Sequence, residues 1–176
     1  MKYVFTLFLL FMTYNSIILF KFDKNSDVSS WYVVDDVVMG GKSNGKFYVS
    51  EEGKGVFTGV VSLENNGGFS SARYQFNQKE IKGYRKVLLR VKGDGKPYQF
   101  RIKKNVEDYY SYITSFNTSG EWETIEIKLN QMYPSFRGRK LALPNYQASV
   151  PEEVAFLIGN KQNEKFKLEI EQIIIQ

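Results

Sequence analysis

Apolar residues in this chain come in short runs, each small enough to be a single strand and each closed by turn residues. Runs at 31–34, 37–39, 46–50, 55–63, 68–76, 86–91, 98–103, 109–116, 122–129, 154–158 and 167–175 are separated by signals such as SNG, EEGKG, ENNGG, GDGKP and NTSGE. Turns at about 8–12-residue intervals mark a β-sandwich. Period-two alternation agrees: Val87, Leu89 and Val91 share one face of a strand while Leu88, Arg90 and Lys92 take the other, and Ile125, Ile127 and Leu129 oppose Thr124, Glu126 and Lys128 in the same way. Ile17, Leu19, Phe20 and Phe22 read as a first strand closed by DKNSD. The 14 Phe, 12 Tyr and 14 Gly, without a long Ala/Leu/Glu-rich run, favour strands and turns. One all-β domain over 17–176 is expected, since a chain of this length buries roughly 70% of its unfolded surface. Segment 132–151 departs from the pattern, with three prolines and the basic FRGRK, and is expected to be a long ordered loop across the sandwich.

The chain has no Cys and no His. Disulfides, thiol nucleophiles, zinc sites built on Cys or His, and imidazole-based triads are thereby excluded. Hydrolysis by paired carboxylates needs two acids facing each other at roughly 5–10 Å, and no sequence pair announces that. GDGK falls in a hairpin instead of a strand-to-helix phosphate loop, which argues against a dinucleotide cofactor. No catalytic residue, cofactor or metal is assigned.

Two Gly pairs flanked by Asp, Asn, Ser and Arg lie within 31–74, a density of backbone-special residues that a plain core does not require. The expected binding patch joins Asp35, Asp36, Met39, Gly40 and Gly41 to Asn65, Asn66, Gly67, Gly68, Ser70 and Arg73, and to Arg137 and Arg139 of YPSFRGR, with Phe136 anchoring that loop in the core. Arg is suited to bidentate capture of carboxylate or phosphate. The competing reading makes Asp35 or Asp36 a salt-bridge partner of Arg73; a Ca²⁺ site using them with Asn65 or Asn66 carbonyls is a further alternative.

Residues 79–104 hold ten basic and two acidic side chains. If GDGKP joins neighbouring antiparallel strands, Arg90 and Lys92 share a face with Arg101, beside Tyr98, Tyr109, Tyr110 and Tyr112. The stripe reads first as a solvated strand face and second as a surface for phosphates, acidic lipid or an acidic partner. Nucleic acid is not an expected partner; peripheral membrane association is left open.

In order along the chain, DDVVMGGKS, GVFTGVVSLENNGGFSSARYQF, KGDGKPYQFR, EWETIEI and YPSFRGR resemble the signature blocks of the complex I intermediate-associated protein 30 family, from about Phe20 to the C-terminus. The resemblance implies a galactose-binding-like β-sandwich of jelly-roll type. It also implies a non-catalytic, protein-binding role like that of the mitochondrial members, assembly factors for the respiratory NADH:ubiquinone oxidoreductase, with respiratory-complex subunits as partners. The alternative is a carbohydrate-binding module, which requires Tyr109, Tyr110 or Tyr112 to be exposed, because Trp31 and Trp122 read as core.

Residues 1–16, MKYVFTLFLLFMTYNS, carry one Lys before an apolar run of signal-peptide size, too short to span a bilayer. An exported, periplasmic protein is expected. The alternatives are a signal anchor of about 18 residues extending through Phe20, or a cytoplasmic protein, as a client on the cytoplasmic side would require. Fractionation with N-terminal sequencing checks this: the expected product is an exported chain beginning near Ser16 or Ile17, whereas an intact Met1 in the membrane fraction supports the anchor.

Overall fold

The computed structural model describes residues 15–147 and 149–176; residues 1–14 of the expected leader lie outside the described residues. Among the described residues thirteen strands follow one another: β1 (Ile17–Lys21), β2 (Trp31–Asp35), β3 (Asn44–Val49), β4 (Gly55–Val61), β5 (Ser70–Gln75), β6 (Lys86–Lys92), β7 (Tyr98–Lys103), β8 (Ser111–Phe116), β9 (Trp122–Lys128), β10 (Tyr133–Phe136), β11 (Arg139–Lys140), β12 (Glu153–Ile158) and β13 (Glu164–Ile175). They form two antiparallel sheets. One has the order β3-β4-β13-β6-β9, with β1 paired to the second half of β13; the other runs β11-β10-β8-β7-β12-β5-β2. The inner faces meet in one core, where Phe57, Leu89, Leu168 and Ile170 of the six-stranded sheet and Ala72, Phe100, Ile102 and Phe156 of the seven-stranded sheet are wholly buried. Each large side chain so buried contributes about 1.5–3 kcal/mol. At one end Trp31 of β2 stacks on Phe47 of β3, 4.4 Å between ring centroids, and so clamps one sheet to the other.

Three sequence expectations are corrected. Residues 37–39 are not a strand but part of a 3₁₀ turn, Asp36–Met39, ended by Gly40 at φ 84°. The 132–151 segment is not wholly loop: β10 pairs with β8, and a tight turn carrying Arg137 (φ 48°) and Gly138 (φ 74°) leads into β11. Two positive φ values suit a type I′ hairpin, and Arg-Gly hides that signal because the usual first residue is Asn or Asp. Finally, GDGKP crosses from β6 in one sheet to β7 in the other. Arg90 and Lys92 therefore lie on the opposite outer face from Arg101, and the expected continuous basic stripe does not form.

The end of the sandwich that holds the two glycine pairs is closed by one carboxylate. Asp36 is buried. It accepts hydrogen bonds from Ser43 Oγ (2.5 Å), Ser43 N (3.1 Å), Phe69 N (3.2 Å) and Gly68 N. A Cβ on Gly41 would overlap the same carboxylate, and one on Gly67 would lie 2.6 Å from Asp36 Oδ2, so both positions need the bare backbone. Burial by itself raises the Asp36 pKa, but the hydrogen bonds from Ser43, Gly68 and Phe69 outweigh it and hold the carboxyl below its ordinary value of 3.8. A folded pKa lower than the unfolded one gives stability that is present above the unfolded value and lost as pH falls through the folded one. Asp36→Ala is expected to cost about 2–4 kcal/mol at pH 7, because it strands buried donors. Urea denaturation measures this, and the gap from wild type should shrink as the pH drops below about 4.

Candidate functional site

Strand register places one row of side chains across the outer face of the seven-stranded sheet: Tyr32, Arg73, Ala155, Arg101, Ile113 and Tyr133. With strands about 4.8 Å apart, Arg73 and Arg101 rise about 10 Å from each other on either side of the small Ala155. Arg73 and Arg101 of this row lie on the floor of a groove of about 400 Å³. One wall is the β10–β11 hairpin with Phe136, Arg137 and Gly138, joined by Tyr109; the far rim is formed by Gly68, Phe69 and Gly159. Tyr109, 64% exposed, meets Phe136 edge-on with centroids 5.2 Å apart. The Arg137 guanidinium lies over the Phe136 ring at 5.2 Å.

The groove is cationic. Arg73, Arg101, Lys103 and Arg137 line it, and none of its described lining residues is acidic. Arg101 donates from Nε (3.1 Å) and Nη2 (2.7 Å) to Gln99 Oε1 and has no carboxylate within 4.0 Å among the described residues. Burial, and then the neighbouring Arg73 charge, bring its pKa down to about 10. Arg73 Nη1 is 3.6 Å from Glu153, while its Nε is buried without a partner. Glu153 is 2% exposed and also accepts from Tyr32 Oη (2.7 Å) and Gln75 Nε2 (3.2 Å). Burial, followed by that bond to Glu153, pushes the Tyr32 hydroxyl up to about 12.

Of the residues singled out from sequence, Gly68, Arg73 and Arg137 line this groove together. Arg139 sits exposed beside it on β11. Asp36 lies behind the rim as an internal strut, not on a binding surface. Asp35 is turned to the Gly45 amide (3.0 Å), and neither aspartate bridges Arg73, whose partner is Glu153. Asn65 donates to the Gly40 carbonyl (2.9 Å), tying the first loop to the second instead of facing the groove. Gly41 and Gly67 pack on Asp36, Gly40 and Asn66 take left-handed backbone, and Ser70 is buried. Met39 falls in the 3₁₀ turn. The calcium alternative is overturned for Asp36, because its oxygens face N–H and O–H donors. Phe136 is a correction as well: it stands on the groove wall, 37% exposed, and not in the core. Trp122 is only partly buried, with the Lys54 ammonium 5.3 Å from its ring centroid. Tyr112 is buried and Tyr109 exposed. Arg101 and Gln99 of the groove, and Glu153, which holds Arg73 from behind, were not singled out as site residues from sequence. The one signal for Gln99 and Arg101 was alternation along β7, which marks a face without saying that it is concave.

Known proteins share this arrangement at the level of fold. The family 11 carbohydrate-binding module of the cellulosomal cellulase Lic26A-Cel5E of Clostridium thermocellum superposes with a TM-score of 0.68 at 16% identity, over 93% of this chain and 95% of that one. A module of the same family and organism, in complex with a β-1,3-1,4-mixed-linked tetrasaccharide, gives 0.65 at 16% identity, over 88% and 94%. The fold is thus a galactose-binding-like β-sandwich. In sequence, the mitochondrial complex I intermediate-associated protein 30 of Mus musculus is 23% identical over 184 residues, covering 89% of this chain. The chain spans 55% of the length of that relative. The model of the complex I intermediate-associated protein 30 family matches residues 20–170, so the chain belongs to that family.

Proposed function

We propose that this chain is a non-catalytic, assembly-factor-like module that holds a client protein along the groove of its seven-stranded sheet. The observation that carries the reading is the composition of that groove: arginines on the floor and wall, an exposed Tyr109–Phe136 pair on the wall, and no carboxylate in the described lining. Arg and Tyr are the side chains most enriched where protein interfaces concentrate their energy. A carboxylate-driven hydrolase would need facing acids that the groove does not offer. Family membership supports the same reading, and subunits of a respiratory complex are the client class it suggests. A specific interface covers about 800 Å² on each partner, so the client must also span the β10–β11 hairpin and the Gly68–Phe69 rim.

A carbohydrate-binding role is the second reading. It is favoured by the exposure of Tyr109, an aromatic face able to carry a sugar ring, on a fold shared with carbohydrate-binding modules. Peripheral membrane association draws no support from a particular contact.

The test uses the mature chain with a photoreactive phenylalanine at position 136, irradiated in the compartment where the protein is recovered. A discrete protein adduct is expected. Arg137→Ala should reduce it about tenfold while leaving stability within about 0.5 kcal/mol, because Arg137 is exposed and pairs with no carboxylate among the described residues. Absence of any adduct, together with glycan-array binding that Tyr109→Ala abolishes, would replace this reading with the second one.

A further inference from the structure

We infer that the groove reads acidic peptide: a Glu or Asp side chain of the partner is captured between Arg101 and Arg73. The inference rests on the client-binding reading and names the chemistry by which the client is recognised.

Two guanidinium groups face one groove with donors to spare. Arg101 spends Nε and Nη2 on Gln99 alone, a neutral acceptor that leaves its charge unmatched. Arg73 keeps a buried Nε without a partner. The acid beside it, Glu153, is consumed by Tyr32, Gln75 and Arg73 itself and is almost fully buried, so it fixes the position of Arg73 without neutralising Arg101. Ala155 separates the two arginines in register, and both line the same groove. Two like charges set side by side and partly out of water are costly unless an anion joins them, and an Arg fork fits a carboxylate with two parallel hydrogen bonds. A neutral sugar supplies no such charge. Phosphate would fit the same fork, but Phe69 and Leu157 place apolar surface next to the arginines, and Gly68 and Gly159 expose bare backbone at the rim. An extended peptide with an acidic side chain satisfies all three kinds of surface at once.

Calorimetric titration of the mature chain with capped hexaglutamate and capped hexaglutamine, in near-physiological salt, tests this; inorganic phosphate and oligogalacturonate serve as parallel arms. Hexaglutamate alone of the two peptides is expected to bind, and Arg101→Gln to weaken it at least about tenfold. The thermal midpoint of Arg101→Gln should equal or exceed that of wild type, since an unmatched charge is removed. If that variant does not fold, Arg101→Lys and the Arg Nε–H resonances of the wild type during titration give the same readout. Unchanged binding in the Arg101 variants, or phosphate or galacturonate binding without hexaglutamate binding, overturns the inference. The two proposals separate cleanly: hexaglutamate binding without a client adduct sinks the client reading, and a client adduct indifferent to Arg101 sinks this one.

Discussion

The Asp36 carboxylate is the point from which the shape of the binding end follows. Buried carboxylates are costly unless their oxygens are filled, and this one is filled by donors from two loops that are far apart in sequence, Ser43 on one side and Gly68 and Phe69 on the other. The residues that look most like a ligand site in the sequence, DDVVMGG and NNGG, are spent on building this joint. Their glycines admit the carboxylate, and their asparagine closes a second link to the Gly40 carbonyl. The product of the joint is the fixed position of Gly68 and Phe69, which become one rim of the groove.

The two outer faces of the sandwich handle charge differently. On the six-stranded sheet, Lys86 pairs with Glu126, Arg90 with Glu171 and Lys167 with Glu169. Such exposed pairs contribute little to stability, and Glu171 is shared between Arg90 and Lys54. On the seven-stranded sheet the cations cluster and the nearest acid is buried among other partners. The basic residues of 79–104 are therefore divided between a face where Lys86 and Arg90 meet carboxylates and a groove whose described lining holds none.

Strand content was legible because alternation survives in single strands: Val87, Leu89 and Val91 are all buried, as their spacing implies. Family blocks likewise pointed to the sandwich itself. What could not be read was pairing between strands distant in the chain. Arg73 and Arg101 become neighbours across Ala155 through β12, a relation that no local window contains. The crossover at GDGKP looked like a hairpin because its turn chemistry is the same whether the chain stays in a sheet or changes sheets. The β10–β11 hairpin was missed because Arg replaces the usual Asn, and Phe136 was placed in the core because hydrophobicity does not report which side of a hairpin faces water.

Strand β13 runs through the middle of the six-stranded sheet. It pairs with β4 along its first half, with β1 along its second, and with β6 on the other side. It is also the last of the thirteen strands in sequence. During synthesis β1 and β4 must therefore wait, with open hydrogen-bonding edges, until their shared partner emerges, and contacts of such long sequence separation form slowly. The half-made sandwich is a sticky species with exposed strand edges, so the interval before β13 arrives is when this protein is most vulnerable to aggregation.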